Sequence, residues 1–230
     1  MMHLLRSCFK SLIEKIDQTL PRKYHPLVEE YIKDGCKGDL DLNRSNVEEL
    51  PDNLTIDGDL RLSLCYLLRS LPKNLHVKGS LDLYGSDLIK ELPTDLKLDG
   101  SLDLIGSGIK SLPSNLIING TLIIYSNLLA RSHNLTVTDT IKVRDSENIR
   151  SLPRCLTVGT LYMPNAEIEL KDLPNDLKVR DDIVSRNFTT KQFKEYMKYA
   201  GIRERDFQSW KGYFKSCPLI LGVCLSVLCV

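Results

Sequence analysis

Residues 92–111 read LPTDLKLDGSLDLIGSGIKS, and residues 112–130 continue LPSNLIINGTLIIYSNLLA. The second stretch repeats the first column by column: Leu-Pro, a turn dipeptide, an alternating apolar pair, a glycine corner and a second alternating pair. Alternation puts both apolar residues of each pair on one side of a short extended segment. Proline fixes φ and ends the segment before it. The glycine between the pairs is expected to supply the positive φ of a tight corner.

The same line runs outward in both directions. Leu-Pro recurs at Leu50-Pro51, Leu71-Pro72, Leu92-Pro93, Leu112-Pro113, Leu152-Pro153 and Leu173-Pro174, in steps of 21, 21, 20, 40 and 21 residues. The doubled step holds one more unit, residues 130–151, which has lost its Leu-Pro. Further columns keep the beat, among them Leu54, Leu75, Leu96, Leu116, Leu135, Leu156 and Leu177. A coil of about twenty residues cannot bury its own leucines. Stacking coils at a strand spacing of ~4.8 Å gives them a continuous core. The fold expected over residues 38–185 is therefore an α/β solenoid of about seven coils with parallel strands.

The repeat L-P-x-x-L-x-V-x-G-x-L-x-L-x-G-S-x-I-x-x resembles the short bacterial leucine-rich repeat that carries the LPX signature. It is similar to the repeats of bacterial effector proteins injected into host cells, effector ubiquitin ligases among them, and related short repeats occur in phage and other bacterial proteins. The resemblance covers residues 38–182. One column departs from it: the position often filled by Asn reads Ser45, Cys65, Ser86, Ser107, Asn127, Ser146 and Ala166. Small hydroxyls are expected there in place of a buried Asn ladder.

A solenoid needs caps, or its terminal leucines face water. Residues 1–37 read as a helical N-terminal cap. Leu5, Cys8, Leu12 and Ile16 share one helical face, and Pro26 opens a second helix that Gly35 closes. The resemblance implies a helical cap at this end too. Residues 186–216 read as a helical C-terminal cap, with Thr189 or Thr190 as N-cap and Phe193, Tyr196, Met197 and Ala200 on one face. Residues 217–230, CPLILGVCLSVLCV, form an uncharged tail. It is shorter than the ~20 residues a membrane-spanning helix needs. Packing against the last coil and contact with a membrane, through acylation of Cys217, Cys224 or Cys229, are both open readings.

The 230 residues carry a net charge of +1, with 27% charged and 42% hydrophobic residues. That balance gives no bulk attraction to nucleic acid, and none is expected as a partner. Seven dispersed cysteines without a C-x-x-C pair argue against a disulfide framework or a structural zinc site and fit a reducing intracellular environment. The amino-terminal residues lack the apolar core of a secretory signal. No P-loop, G-x-S-x-G, H-E-x-x-H or dinucleotide fingerprint occurs, so no catalytic residue, cofactor or metal is expected. The related ubiquitin ligases use a C-x-D cysteine, and no cysteine here has Asp two residues on. Cys155 beside Arg154 has a basic neighbour that favours a thiolate, yet nothing else in its coil suggests a nucleophile.

Function is then sought on the strand face. The residue between the two leucines of the second pair points outward: Asp41, Arg61, Asp82, Asp103, Ile123, Lys142 and Tyr162. The next outward position reads Asn43, Ser63, Tyr84, Ile105, Tyr125, Arg144 and Pro164. Aromatic and aliphatic residues bordered by charges of both signs have the composition of an interface centre and rim. Tyr84, Ile105, Ile123, Tyr125, Lys142, Arg144 and Tyr162 are the expected partner-binding residues. The expected function is non-catalytic protein–protein recognition, as in a secreted bacterial effector that binds a host protein in the host-cell cytoplasm. Two alternatives are the substrate-recognition part of an effector ubiquitin ligase without its catalytic domain, and a membrane-tethered adaptor.

Overall fold

The computed structural model describes residues 23–199. Among them the strands, in chain order, are β1 (Leu40–Asp41), β2 (Thr55–Ile56), β3 (Leu60–Arg61), β4 (His76–Val77), β5 (Leu81–Asp82), β6 (Lys97–Leu98), β7 (Leu102–Asp103), β8 (Ile117–Ile118), β9 (Leu122–Tyr125), β10 (Thr136–Arg144), β11 (Thr157–Tyr162) and β12 (Lys178–Val184). Each coil gives one strand to a ladder ordered β1-β3-β5-β7-β9-β10-β11-β12, parallel throughout. β2, β4 and β6 make a second parallel sheet. The register advances by one repeat per step, Leu60 opposite Leu81, Leu81 opposite Leu102, and Leu102 opposite Leu122. All four leucines are fully buried. The expected parallel solenoid is what the chain forms.

The ladder strands of the first four coils are only two residues long, and a side-chain oxygen takes the N–H that follows: in the second coil, where Arg61 fills the Asp position, Asn43 Oδ1 of the coil before accepts from Ser63 N–H at 2.8 Å, and in the other three an aspartate does it. Asp41, Asp82 and Asp103 each turn an Oδ1 back to accept the N–H two residues on, from Asn43 (3.0 Å), Tyr84 (2.8 Å) and Ile105 (2.9 Å). An N–H held in this local turn is withdrawn from the ladder. In the fifth coil Ile123 replaces the Asp and has no acceptor, and the strand runs on to Tyr125. Beyond it, the β-branched run of Thr136, Val137, Thr138, Thr140, Ile141 and Val143 favours extended backbone. The two ladders fuse there: β10 is one nine-residue strand pairing with both β8 and β9.

The glycine column serves a different purpose from the one the sequence suggested. Gly58, Gly79, Gly100 and Gly120 do not have positive φ. Instead, a Cβ on Gly100 would lie 2.5 Å from the carbonyl oxygen of Gly79 and 2.6 Å from its carbon. These glycines let consecutive coils touch backbone to backbone. The left-handed corners fall elsewhere. One column holds Asn53, Asn74, Asn115, Asn134 and Cys155, and another holds Arg44, Leu64, Gly85, Gly106 and Asp145. Asn tolerates this conformation, and the corner asparagines bond one another: Asn74 Nδ2 to Asn53 Oδ1 at 2.9 Å, Asn134 Nδ2 to Asn115 Oδ1 at 3.0 Å.

Small hydroxyls do occupy the buried column. Ser86 Oγ donates to Leu62 O (2.5 Å) and accepts from Cys65 N–H (3.0 Å). In the fifth coil the buried residue is Ser126, while Asn127 is exposed, so the assignment of Asn127 to this column is corrected. The cause is a short helix, α2 (Ser126–Leu129), that replaces the left-handed corner of this coil; the helix before it is α1 (Pro26–Lys33). The unit without Leu-Pro closes by other means. Ser132 stands where leucine would be, is buried, and its Oγ donates to Leu128 O at 3.0 Å. Leu128 and Leu129 fill the adjoining core.

Each described end carries one helix. Tyr31 of α1 donates its hydroxyl to Gly38 O (3.0 Å) and accepts from Asp57 N–H (3.1 Å), which pins the helix to the first coils. At the other end, α3 (Thr190–Tyr199) opens with Thr189 and Gln192 exchanging bonds in a capping box and buries Phe193 and Met197. The expected helix over residues 4–19 and the apolar tail 217–230 lie outside the described residues.

Candidate functional site

The candidate face is built by the outer sides of β5, β7, β9, β10 and β11. Register places Asp82 opposite Asp103, Asp103 opposite Ile123, Ile123 opposite Lys142, and Lys142 opposite Tyr162. The neighbouring row is fixed by Tyr125 opposite Arg144 and by Gly85 N–H donating to Ile105 O at 2.8 Å. The two rows run from Tyr84 to Tyr162 across four coil steps, roughly 19 Å at strand spacing. Tyr84, Tyr125 and Tyr162 are 48%, 37% and 44% exposed. Ile105 and Ile123 are half-buried between them, and Lys142 and Arg144 are exposed. Tyr84 and Ile105 sit in the turn just past their two-residue strands rather than on them.

The charges on this face are ordered. Arg61 is engaged by Asp39 and Asp59, both at 2.9 Å, so it leaves little net charge on its coil. Asp82 and Asp103 follow as an acidic pair, and Ser63 Oγ donates to Asp82 Oδ2 at 2.5 Å. Burial holds the Asp103 carboxyl above the usual range, and the Asp82 charge pushes the same way. The Ile105 N–H and the Arg144 charge pull it back only in part. The result is an acidic side, an apolar middle and a basic side.

A concavity of about 350 Å³ opens beside this face, lined by Tyr125, Ser126, Asn127, Asp145 and Asn148. Sequence periodicity missed Asn127, Asp145 and Asn148 as site residues. The only trace was the doubled Leu-Pro step, because the concavity arises where α2 breaks the regular corner. Asp145 holds the left-handed corner of the following coil, with φ 51°.

No group of three or more His, Cys, Asp or Glu among the described residues is placed to hold a metal ion. Cys36 and Cys65 are free thiols, and burial pushes the Cys65 thiol up, away from the thiolate. The Cys155 sulfur lies 3.5 Å from Asp176 Oδ2. His76 lies against Asp99 at 3.3 Å, away from the candidate face. No helix among the described residues is long and apolar enough to cross a membrane.

No protein-family model, no curated protein and no solved structure matches the chain. The class it defines comes from its own geometry: a parallel β-solenoid of leucine-rich coils about 21 residues apart, with a mixed aromatic and charged strand face.

Proposed function

We propose that the chain is a non-catalytic recognition module that binds a protein partner through Tyr84, Ile105, Ile123, Tyr125, Lys142, Arg144 and Tyr162. One observation carries this reading: three exposed tyrosines and two half-buried isoleucines lie along five adjacent coils, with Asp82 and Asp103 on the first two of them and Lys142 and Arg144 on the coil between Tyr125 and Tyr162. Rigid aromatics over a fixed sheet lose little entropy on binding, and rim charges of opposite sign set orientation. The repeat's resemblance to those of secreted bacterial effectors makes a host-cell protein the proposed partner and the host-cell cytoplasm the proposed place of action.

The test is capture from host-cell lysate, identification of the retained protein, and affinity measurement with purified components. Tyr125→Ala and Tyr84→Ala should each weaken binding by at least ~2 kcal/mol, as central aromatic anchors do. Asp57→Ala, off this face, should leave it unchanged. A partner indifferent to both tyrosines would place recognition elsewhere on the solenoid.

A further inference from the structure

The concavity at the end of β9 says what the partner presents. We infer that it receives an arginine side chain of the protein partner, with the guanidinium stacked on Tyr125 and paired with Asp145. This rests on the strand-face reading above and adds the chemistry of one contact.

The lining carries a single charge, neutral polar groups that can accept, and a ring. Asp145 contributes a carboxylate, Asn127 and Asn148 contribute amide oxygens, Ser126 a hydroxyl and Tyr125 a ring. Among the described residues the Asp145 side chain makes no ion pair, and the side chains of Asn127 and Asn148 make no hydrogen bond. Arg144, the nearest cation in sequence, makes no ion pair with Asp145 among the described residues. The site is therefore one unpaired carboxylate among neutral amides and a hydroxyl, beside an aromatic ring at the edge of an apolar patch. Ser126 and Asn127 begin α2, but a helix of four residues offers no useful positive end for an anion. The Asp145 charge opposes an anion as well.

Arginine fits this set better than lysine. Its planar guanidinium can lie on the Tyr125 ring while its in-plane N–H groups reach a carboxylate and two amide oxygens. An ammonium would satisfy the charge but not the stacked plane. The apolar residues on either side of that arginine would cover Ile105 and Ile123.

A random peptide library panned on the full chain tests this. Wild type should select peptides with an arginine flanked by apolar residues. Replacing that arginine by citrulline should cost about tenfold in affinity, and Asp145→Asn should cost about the same. The two losses should not add, because they remove one interaction. Asn keeps the left-handed corner at 145, so the variant retains its fold. Ile105→Asp should weaken the whole selected set. Selected peptides without arginine, or with affinities indifferent to Asp145→Asn while Ile105→Asp still abolishes binding, would overturn the arginine site and leave the interface standing. Binding indifferent to Ile105→Asp as well would overturn both.

Discussion

Gly100→Ala should destabilise the protein by about 2–4 kcal/mol although glycine at this position has ordinary φ. The new Cβ would sit 2.5 Å from Gly79 O and 2.8 Å from Ser80 N, against an ordinary contact of 3.4 Å or more. The obstacle is backbone, so no rotamer change relieves it. The two coils would have to part by roughly 0.9 Å at this corner, the difference between 3.4 and 2.5. The bonds that cross there are Asp99 N–H to Val77 O at 3.0 Å, Leu81 N–H to Ser101 O at 2.8 Å and Ser101 N–H to Ser80 Oγ at 3.2 Å. Parting by that amount takes all three out of range, at a net ~1 kcal/mol each. Bending the chain instead costs ~1–3 kcal/mol, the usual range for overpacking. Urea melts should show a lower midpoint at unchanged slope, with the exposed Asp99→Ala within ~0.5 kcal/mol of wild type. A loss below ~0.5 kcal/mol for Gly100→Ala would mean that the coils do not depend on close approach, and the account of the glycine column would fail.

Leu102→Ala should cost ~2–5 kcal/mol, because the side chain is fully buried in a stacked column. Leu96 is only partly buried, so Leu96→Ala should cost clearly less, ~1 kcal/mol; equal midpoint shifts would contradict the burial pattern. Ser86→Ala should cost ~2–3 kcal/mol in the same assay, since it strands Leu62 O and Cys65 N–H inside the core; a neutral result would show that another group reaches them. Asp103→Asn keeps the acceptor for Ile105 N–H and removes the charge. A carboxyl held above its unfolded value contributes stability that is fully present below the unfolded pKa, ~3.9, and is lost as pH rises through the folded one. The variant should therefore gain on wild type between pH 3 and pH 7; a flat or opposite difference in melts across that range would refute the cause given for the shift.

The sequence by itself determined the solenoid, its repeat length and its inward columns, because one twenty-residue pattern written about seven times has a single economical burial. Leu60, Leu81, Leu102 and Leu122 could be placed inside from alternation alone, and the outward rows followed from the same parity. Only the tertiary structure decided matters that depend on what a neighbouring coil brings. The glycine column needed the distance to the coil before it, which no local φ preference reveals. The length of the short ladder strands turned on whether a side-chain oxygen, an aspartate's own or that of Asn43 one coil away, took the next N–H, which single-residue propensity does not record. The concavity at Tyr125 came from one broken corner facing the next coil's Asp145 and Asn148. Periodicity describes where coils agree, and this site is made where two of them differ.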